Sequence, residues 1–152
     1  MAEYLQLDIL TPDGRVDLRV DRDGNKSKKP GPVEVEGVEL PAALGEMGVR
    51  PNHIPFLTPV VPGVVRFRFD GKDQRIAIGS GFLEVSEEGG VTILTSQAVR
   101  SWEIKADDVR KRHDELAGEI KELGGAALDD AEMMKLRAQL DWVDAQLRAA
   151  QA

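Results

Sequence analysis

The chain has 152 residues and a net charge of −7, with 27 acidic against 20 basic side chains and no cysteine. An acidic chain argues against nucleic acid as a partner, and the lack of cysteine excludes disulfides and thiolate metal sites. No apolar run approaches the roughly 18 to 20 residues of a membrane span, and the start lacks the basic and long apolar regions of a signal peptide. We therefore expect a cytoplasmic protein with no direct membrane insertion.

Two alternating runs open the chain. Apolar and polar residues alternate between Tyr4 and Leu10, which predicts a half-buried strand followed by a turn. The alternation resumes at Val16, Leu18 and Val20 and predicts a second strand. Residues 21–32 are polar and charged, and we interpret them as a solvated hairpin tip. This insertion contains Lys26, Lys28 and Lys29.

Residues 38–67 are the stretch richest in proline and glycine, with five prolines and three glycines. Proline lacks an N–H group and ends strands and helices, whereas glycine allows the positive φ angles of tight turns. The stretch is also apolar, which is unlike a solvated linker. We therefore predict no regular element here but a rigid, ordered path across the end of a β-structure, where it presents a surface or closes a corner.

Short strands separated by turns follow as far as Trp102. Apolar residues alternate over 65–69, Asp70-Gly71 is a hairpin signal, and the chain returns over 75–78. Gly79-Ser80-Gly81 predicts a bulge or corner, and two more strands follow it. This pattern predicts a β-sandwich or flattened barrel.

The apolar period becomes helical after Asp107. Spacings of three and four residues predict two amphipathic helices that pack as an antiparallel hairpin. Gly124-Gly125 separates them, and Asp129 is placed to cap the second helix. We predict a β-sandwich domain over residues 1–104 and an α-helical hairpin over 105–152. The predicted apolar seams are Val109, His113, Leu116, Ile120 and Leu123, and Met133, Leu136, Leu140, Val143 and Leu147.

Nothing in the sequence predicts a catalytic or metal site. The two histidines, His53 and His113, have no further histidine or cysteine at ligand spacing, so we expect structural roles for both. The Gly79-Ser80-Gly81 segment lacks the lysine of a phosphate loop, and no serine belongs to a visible catalytic constellation. We therefore predict a protein that is no enzyme by itself and requires no cofactor.

The proline-rich stretch resembles the epsilon subunit of rotary F-type ATP synthases. The segment LPAALGEMGVRPNHIPFLTPVVPGVVR is similar to the family signature, and segments 7–16, 76–85 and 91–98 resemble its other strands in the same order. Ala42 departs from the glycine usual in the family, and the insertion at 21–32 departs further. The matching residues are Leu40, Pro41, Gly45, Gly48, Pro51, His53, Pro55, Thr58, Pro62, Gly63 and Arg66.

The resemblance implies a non-catalytic central-stalk subunit, peripheral at the cytoplasmic face of the cell inner membrane. Such a subunit couples proton translocation to ATP synthesis and restrains ATP hydrolysis through its C-terminal helices. Its implied partners are the gamma subunit, the membrane rotor ring subunit and the alpha and beta subunits of the catalytic head. The implied interface with the ring and gamma comprises Gly45, Glu46, Met47, Gly48 and His53.

The resemblance also assigns roles to the helices. They lie folded on the sandwich or extend to the catalytic head, and the implied head contacts are Arg110, Lys111, Arg112 and Arg137. Some bacterial members bind ATP through an (I/L)DxxRA motif as a regulatory ligand. Here Asp107 and Arg110 match that motif, whereas Ala106 and Lys111 do not.

An alternative function belongs to another class of protein. The same architecture would suit a free-standing nucleotide- or small-ligand-sensing module whose helix hairpin opens and closes on the sandwich. A rotor subunit would co-purify with a larger membrane-bound complex, whereas a sensor would change shape alone on binding its ligand.

Overall fold

The computed structural model describes residues 4–18, 31–69, 71–123 and 130–150. The lysine-bearing insertion, Asp70, Gly124-Gly125 and the cap position Asp129 lie wholly or mainly outside these ranges. The strands are β1 (Leu5–Thr11), β2 (Gly14–Arg15), β3 (Val33–Val35), β4 (Val38–Ala42), β5 (Gly45–Val49), β6 (Phe56–Val60), β7 (Gly63–Phe69), β8 (Lys72–Ile78), β9 (Gly81–Val85), β10 (Gly90–Thr95) and β11 (Ala98–Arg100). A 3₁₀ turn (Ser101–Glu103) precedes the helices α1 (Ala106–Leu123) and α2 (Asp130–Ala150).

The strands fold into two sheets that are continuous through β4. The first sheet runs β11-β8-β7-β4, with β5 beside β4, and the second runs β6-β9-β10-β1, with β2 and β3 beside β1. β4 pairs with β7 through Val38 and Glu39, and with β6 through Ala42. This arrangement confirms the predicted sandwich or flattened barrel.

Alternate residues of the strands fill the space between the two sheets. In β1, Leu5, Leu7 and Ile9 are buried, and in β8 the buried residues Ile76 and Ile78 face the same core. Because successive side chains of a strand point to opposite faces, the intervening residues lie on the outside of the sandwich. Two outer surfaces therefore remain, one on each sheet.

The prediction that residues 38–67 contain no regular element was wrong. Four strands cover most of this stretch, and Pro41 and Pro59 lie inside β4 and β6. A strand accepts proline wherever its ladder does not need that residue's N–H group. Pro41 still contributes through its carbonyl oxygen, which accepts a hydrogen bond from the N–H of Val61 at 3.0 Å.

The predicted strand at residues 16–20 is also incorrect over its described part. β2 ends at Arg15, and Val16 to Leu18 lie outside any strand. Leu18 is nevertheless buried in the core at 3% exposure. The alternation of apolar residues therefore indicated burial correctly, although the backbone leaves the sheet.

Gly79-Ser80-Gly81 forms the corner that the sequence predicts. It connects β8 to β9, which lie in different sheets. A Cβ atom on Gly81 would lie 1.8 Å from the carbonyl oxygen of Leu94, so only glycine fits. The buried hydroxyl of Thr95 donates to the carbonyl oxygen of Gly79 at 2.9 Å and holds the corner against β10.

The two helices pack against each other and form the predicted hairpin. The six residues between them, 124–129, are too few to run the length of an 18-residue helix, so the packed helices are antiparallel. Every predicted seam position is buried or half-buried, and Leu116 is fully buried. No helix in the described ranges is long and apolar enough to cross a membrane.

Candidate interaction surfaces

The β4–β5 hairpin presents the first group of predicted interface residues. Leu44 is fully exposed at its tip, and Gly45 follows with a φ of +126°, a conformation that favours glycine. Glu46 pairs with Arg66 of β7 at 3.1 Å, while Met47 packs partly against the core. The hairpin is thus held at its side and exposes an apolar tip.

His53 lies in the loop that follows the other end of β5. Its backbone N–H donates to the carbonyl oxygen of Arg50 at 3.1 Å, and the centroid of its ring lies 4.9 Å from that of Phe56. Its Nδ1 is 2.9 Å from the carbonyl oxygen of Ile54, in agreement with a hydrogen-bonded structural role. The hairpin tip and this loop lie at opposite ends of β5, about 13 Å apart along the strand. They are therefore two separate exposed sites, which we call the first and second presentation points.

An apolar surface that the sequence analysis missed covers the outside of the second sheet. Pro59 of β6 faces Phe82 of β9, which faces Leu94 of β10. Leu57, Phe82 and Leu94 are 68%, 53% and 50% exposed. We call Leu57, Pro59, Phe82 and Leu94 the outer apolar face.

The signal for this face is present in the sequence. Phe82 precedes Leu83, and Leu94 follows Ile93. Leu83 and Ile93 are both buried. Adjacent strand residues point to opposite sides, so one member of each apolar pair has to face outward. A soluble sandwich would ordinarily place polar residues there, and a run of exposed apolar side chains indicates a contact surface.

The outside of the first sheet is covered in part by α2. Ala145 and Ala149 are fully buried against Val64 of β7 and Ala77 of β8, and Trp142 packs beside them. We call Val64, Ala77, Ala145 and Ala149 the docking contact. The predicted seam of α2 does not include this second face, because alanine contributes little to an apolar periodicity.

The predicted cationic residues of the helices form local pairs on exposed surfaces. Arg110 pairs with Asp107 at 3.2 Å, and Arg112 pairs with Glu115 at 3.4 Å. The side chains of both pairs are about half exposed or more, and such surface pairs contribute little to stability. Lys111 and Arg137 are exposed as well.

His113 joins the two helices. Its Nε2 lies 3.1 Å from Oδ1 of Asp144 on α2, and its Nδ1 lies 3.3 Å from Oδ1 of Asp114. The predicted role at the helix interface is therefore confirmed. No group of three metal-ligating side chains occurs within the described ranges.

A crevice of about 550 Å³ separates the hairpin from the Gly79–Ser80 corner. We call it the helix crevice. Two cationic side chains, Arg112 and Lys135, and the indole of Trp142 line it. Asp107 and Arg110, which match the ATP-binding motif in part, are not among its lining residues.

A second groove, of about 670 Å³, lies on the uncovered part of the first sheet. We call it the arginine groove. Its four cationic residues are Arg50, Arg66, Arg68 and Arg75. Its acidic residues are Glu36, Glu39 and Asp73.

Comparison with known proteins identifies similar chains. The family model described as ATP synthase, Delta/Epsilon chain, beta-sandwich domain, matches residues 32–101. The ATP synthase epsilon chain of Anaeromyxobacter dehalogenans is 31% identical over 140 residues, covering 90% of this chain and 95% of that protein. The epsilon chain of Nitratidesulfovibrio vulgaris strain DP4 is 32% identical over 143 residues, covering 92% and 96%.

Two solved structures share the fold. A chain of the Euglena gracilis mitochondrial ATP synthase, in a structure of OSCP, F1 and c-ring, superposes with a TM-score of 0.73 at 22% identity and covers 99% of this chain and 82% of its own. A chain of the Tetrahymena thermophila mitochondrial ATP synthase central stalk and c-ring superposes with a TM-score of 0.62 at 12% identity, covering 97% and 96%. Both likenesses extend over the sandwich and the helices.

Proposed function

The chain belongs to the ATP synthase epsilon chain family, and from this premise we propose that it acts as a central-stalk rotor subunit. In that role it has no catalytic residue of its own. It couples proton translocation to ATP synthesis and restrains ATP hydrolysis through its two helices. Family membership favours this function over a free-standing ligand sensor.

The outer apolar face is the single observation that carries the stalk role. It lies on the second sheet, on the opposite side of the sandwich from α2, and nothing in the described chain covers Phe82 or Leu94. An exposed apolar surface of this kind is a protein-interaction site. We propose the gamma subunit as the partner that covers it.

A charge placed in this face tests the proposal. We expect Phe82→Asp to abolish co-purification with gamma, because the contact would bury an unpaired carboxylate. Met134→Asp is the matched control, since Met134 is an equally apolar, 70% exposed residue on α2. Unchanged binding of Phe82→Asp would refute the assignment of this face to gamma.

The β4–β5 hairpin supports the proposed contact with the membrane rotor ring. Its paired strands and the Glu46–Arg66 ion pair restrict the backbone, so little conformational entropy is lost on docking. A cysteine at Glu46 should cross-link to the polar loop of the ring subunit. Cross-links to the catalytic head alone would reverse the proposed orientation. His53 belongs to the second presentation point, and Glu46→Ala with His53→Ala should impair assembly if both points are used.

The helices support the proposed restraint of hydrolysis. The docking contact consists of small side chains, so α2 can be released by competing contacts. Extended helices would then present the seams and Arg110, Lys111, Arg112 and Arg137 to the alpha and beta subunits. Deleting the chain after Trp102 should leave assembly and ATP synthesis intact and raise ATP hydrolysis. Unchanged hydrolysis would leave the helices a packing role only.

Regulation by ATP stays a separate proposal. Asp107 and Arg110 pair with each other on the exposed start of α1, whereas the helix crevice holds Arg112, Lys135 and Trp142 between the hairpin and the sandwich. A ligand bound in the crevice would favour the docked state. ATP should then change the fluorescence of Trp142, and the change should disappear in Lys135→Gln.

A further inference from the structure

The arginine groove contains a pair of like charges, Arg66 and Arg75, of which the proposed stalk function uses only Arg66, through its ion pair with Glu46. Arg66 and Arg75 are direct cross-strand partners on β7 and β8, on the outer face of the first sheet. Side chains in such a pair have Cβ atoms about 5 Å apart, and like charges placed there destabilise the sheet. The arrangement is notable in a chain with seven more acidic than basic side chains.

The neighbouring carboxylates balance only some of the arginines. Arg66 pairs with Glu46 at 3.1 Å and also faces Glu39 across β4, and Arg68 faces Asp73 across β8. On β7, Arg75 faces Arg66, and within the described ranges it forms no ion pair. Carboxylates are nearly as numerous as guanidinium groups around the groove, but Arg75 has no ion-pair partner there and lies next to a second guanidinium.

The groove is open at this point and bounded on one side by the helices. On the outer face of β7 and β8, α2 covers Val64 and Ala77. Arg66 and Arg75 are the next residues on that face, and they are only half-buried. Partial burial strengthens a charge-assisted hydrogen bond relative to a fully solvated one. Two guanidinium groups at this spacing offer several parallel N–H donors to one tetrahedral oxyanion.

We propose that Arg66 and Arg75 bind a phosphate-type oxyanion at the floor of the arginine groove. The ligand is either free inorganic phosphate or the terminal phosphate of a small phosphorylated molecule, since both present the same oxygens. Arg50, on the rim beside Gly37, lies on the same groove and adds positive charge at its entrance. The site is separate from the helix crevice and from the outer apolar face.

The first experiment titrates the full chain with inorganic phosphate and follows backbone amides by NMR. We expect saturable shifts centred on Arg66 and Arg75, with a dissociation constant on the order of 1 mM. Arg75→Gln should weaken binding at least about tenfold, whereas Arg75→Lys should retain part of it because lysine still offers a point charge. Lys72→Gln removes one charge from the same strand outside the groove and should bind as the unaltered chain does.

A stability measurement separates the site from a merely structural role. In phosphate-free buffer Arg75→Gln should unfold at a higher temperature than the unaltered chain, because it removes a like-charge contact. Added phosphate should raise the melting temperature of the unaltered chain and of Lys72→Gln but not of Arg75→Gln. A phosphorylated sugar that binds more tightly than phosphate would identify the second source of the ligand.

Several results would overturn the proposal. Shifts that never saturate, or that follow Arg112 of the helix crevice instead of Arg75, would show that the groove is not the binding site. Phosphate-independent loss of assembly in Arg75→Gln would make the groove a protein contact. These results leave the stalk function untouched, because its decisive test uses Phe82, which lies on the other sheet.

Discussion

Undocking α2 from the sandwich is the perturbation that the structure allows us to predict most closely. Ala145 is fully buried in the docking contact, between α2 and the first sheet. Replacing it with glutamate places a carboxylate in this apolar contact, where no cation of the docking contact can pair with it. Leaving a charge buried without a partner costs about 3–5 kcal/mol.

The cost of this buried charge has to be compared with the free energy that holds α2 on the sheet. The docking contact buries Val64 and three alanine methyl groups, with partial burial of Ile104 and Trp142. At about 0.8 kcal/mol per buried methylene-sized group, this is roughly 5 kcal/mol before the ordering of the hairpin is subtracted. The cost of Ala145→Glu is therefore comparable with the whole docking free energy, and we expect the hairpin to leave the sheet.

Tryptophan fluorescence reports the change. In a Trp102→Phe background, Trp142 is the one remaining indole, and it should shift to longer wavelength when the docking contact opens. Met134→Glu is the control, because Met134 is 70% exposed on the same helix and does not line the helix crevice beside Trp142. An unchanged spectrum for Ala145→Glu, or an equal shift for Met134→Glu, would refute the reasoning.

Three further predictions address other parts of the fold. Leu116→Ala should destabilise the hairpin by about 2–5 kcal/mol, because it empties a fully buried site between the helices; loss of helical circular dichroism at lower temperature measures this, with exposed Leu44→Ala as the control. Gly81→Ala should prevent folding of the sandwich at normal temperature, since its Cβ would lie 1.8 Å from the Leu94 carbonyl oxygen, and a native-like NMR spectrum would contradict it. A fragment of residues 1–104 should unfold cooperatively, though at a lower temperature than the full chain because Val64 and Ala77 lose their cover; a fragment without a cooperative transition would refute the two-domain proposal.

Local periodicity was sufficient to predict the fold class. Period-two alternation identified the strands around Leu7 and Phe67, and three-four spacing identified both helices and the burial of Leu116. The proline-rich stretch was misinterpreted because a local rule on proline says nothing about which N–H groups a ladder needs. Whether β4 tolerates Pro41 depends on neighbours that are distant in the sequence.

The interaction surfaces could be predicted only in part. Family resemblance pointed to Glu46 and His53, but it could not indicate that they stand at opposite ends of β5. The outer apolar face and the docking contact both depend on which side of a sheet is left open. That property arises only when β9 and β10 have been paired and α2 has been docked, so neither Phe82 nor Ala149 was identified beforehand.

The parallel pairing of the first strand has a consequence for how the chain acquires its structure. Leu7 lies beside Val91, so β1 has no parallel neighbour until β10 has been synthesised. The β4–β5 and β7–β8 hairpins need only local contacts and can form while the chain is still emerging from the ribosome. Closing the loop between β1 and β10 is slow because the two strands are far apart in the sequence. Their pairing is therefore the expected late step of folding. Until then the apolar edge of β10 is open to other chains, and synthesis rate and chaperone access become determinants of yield.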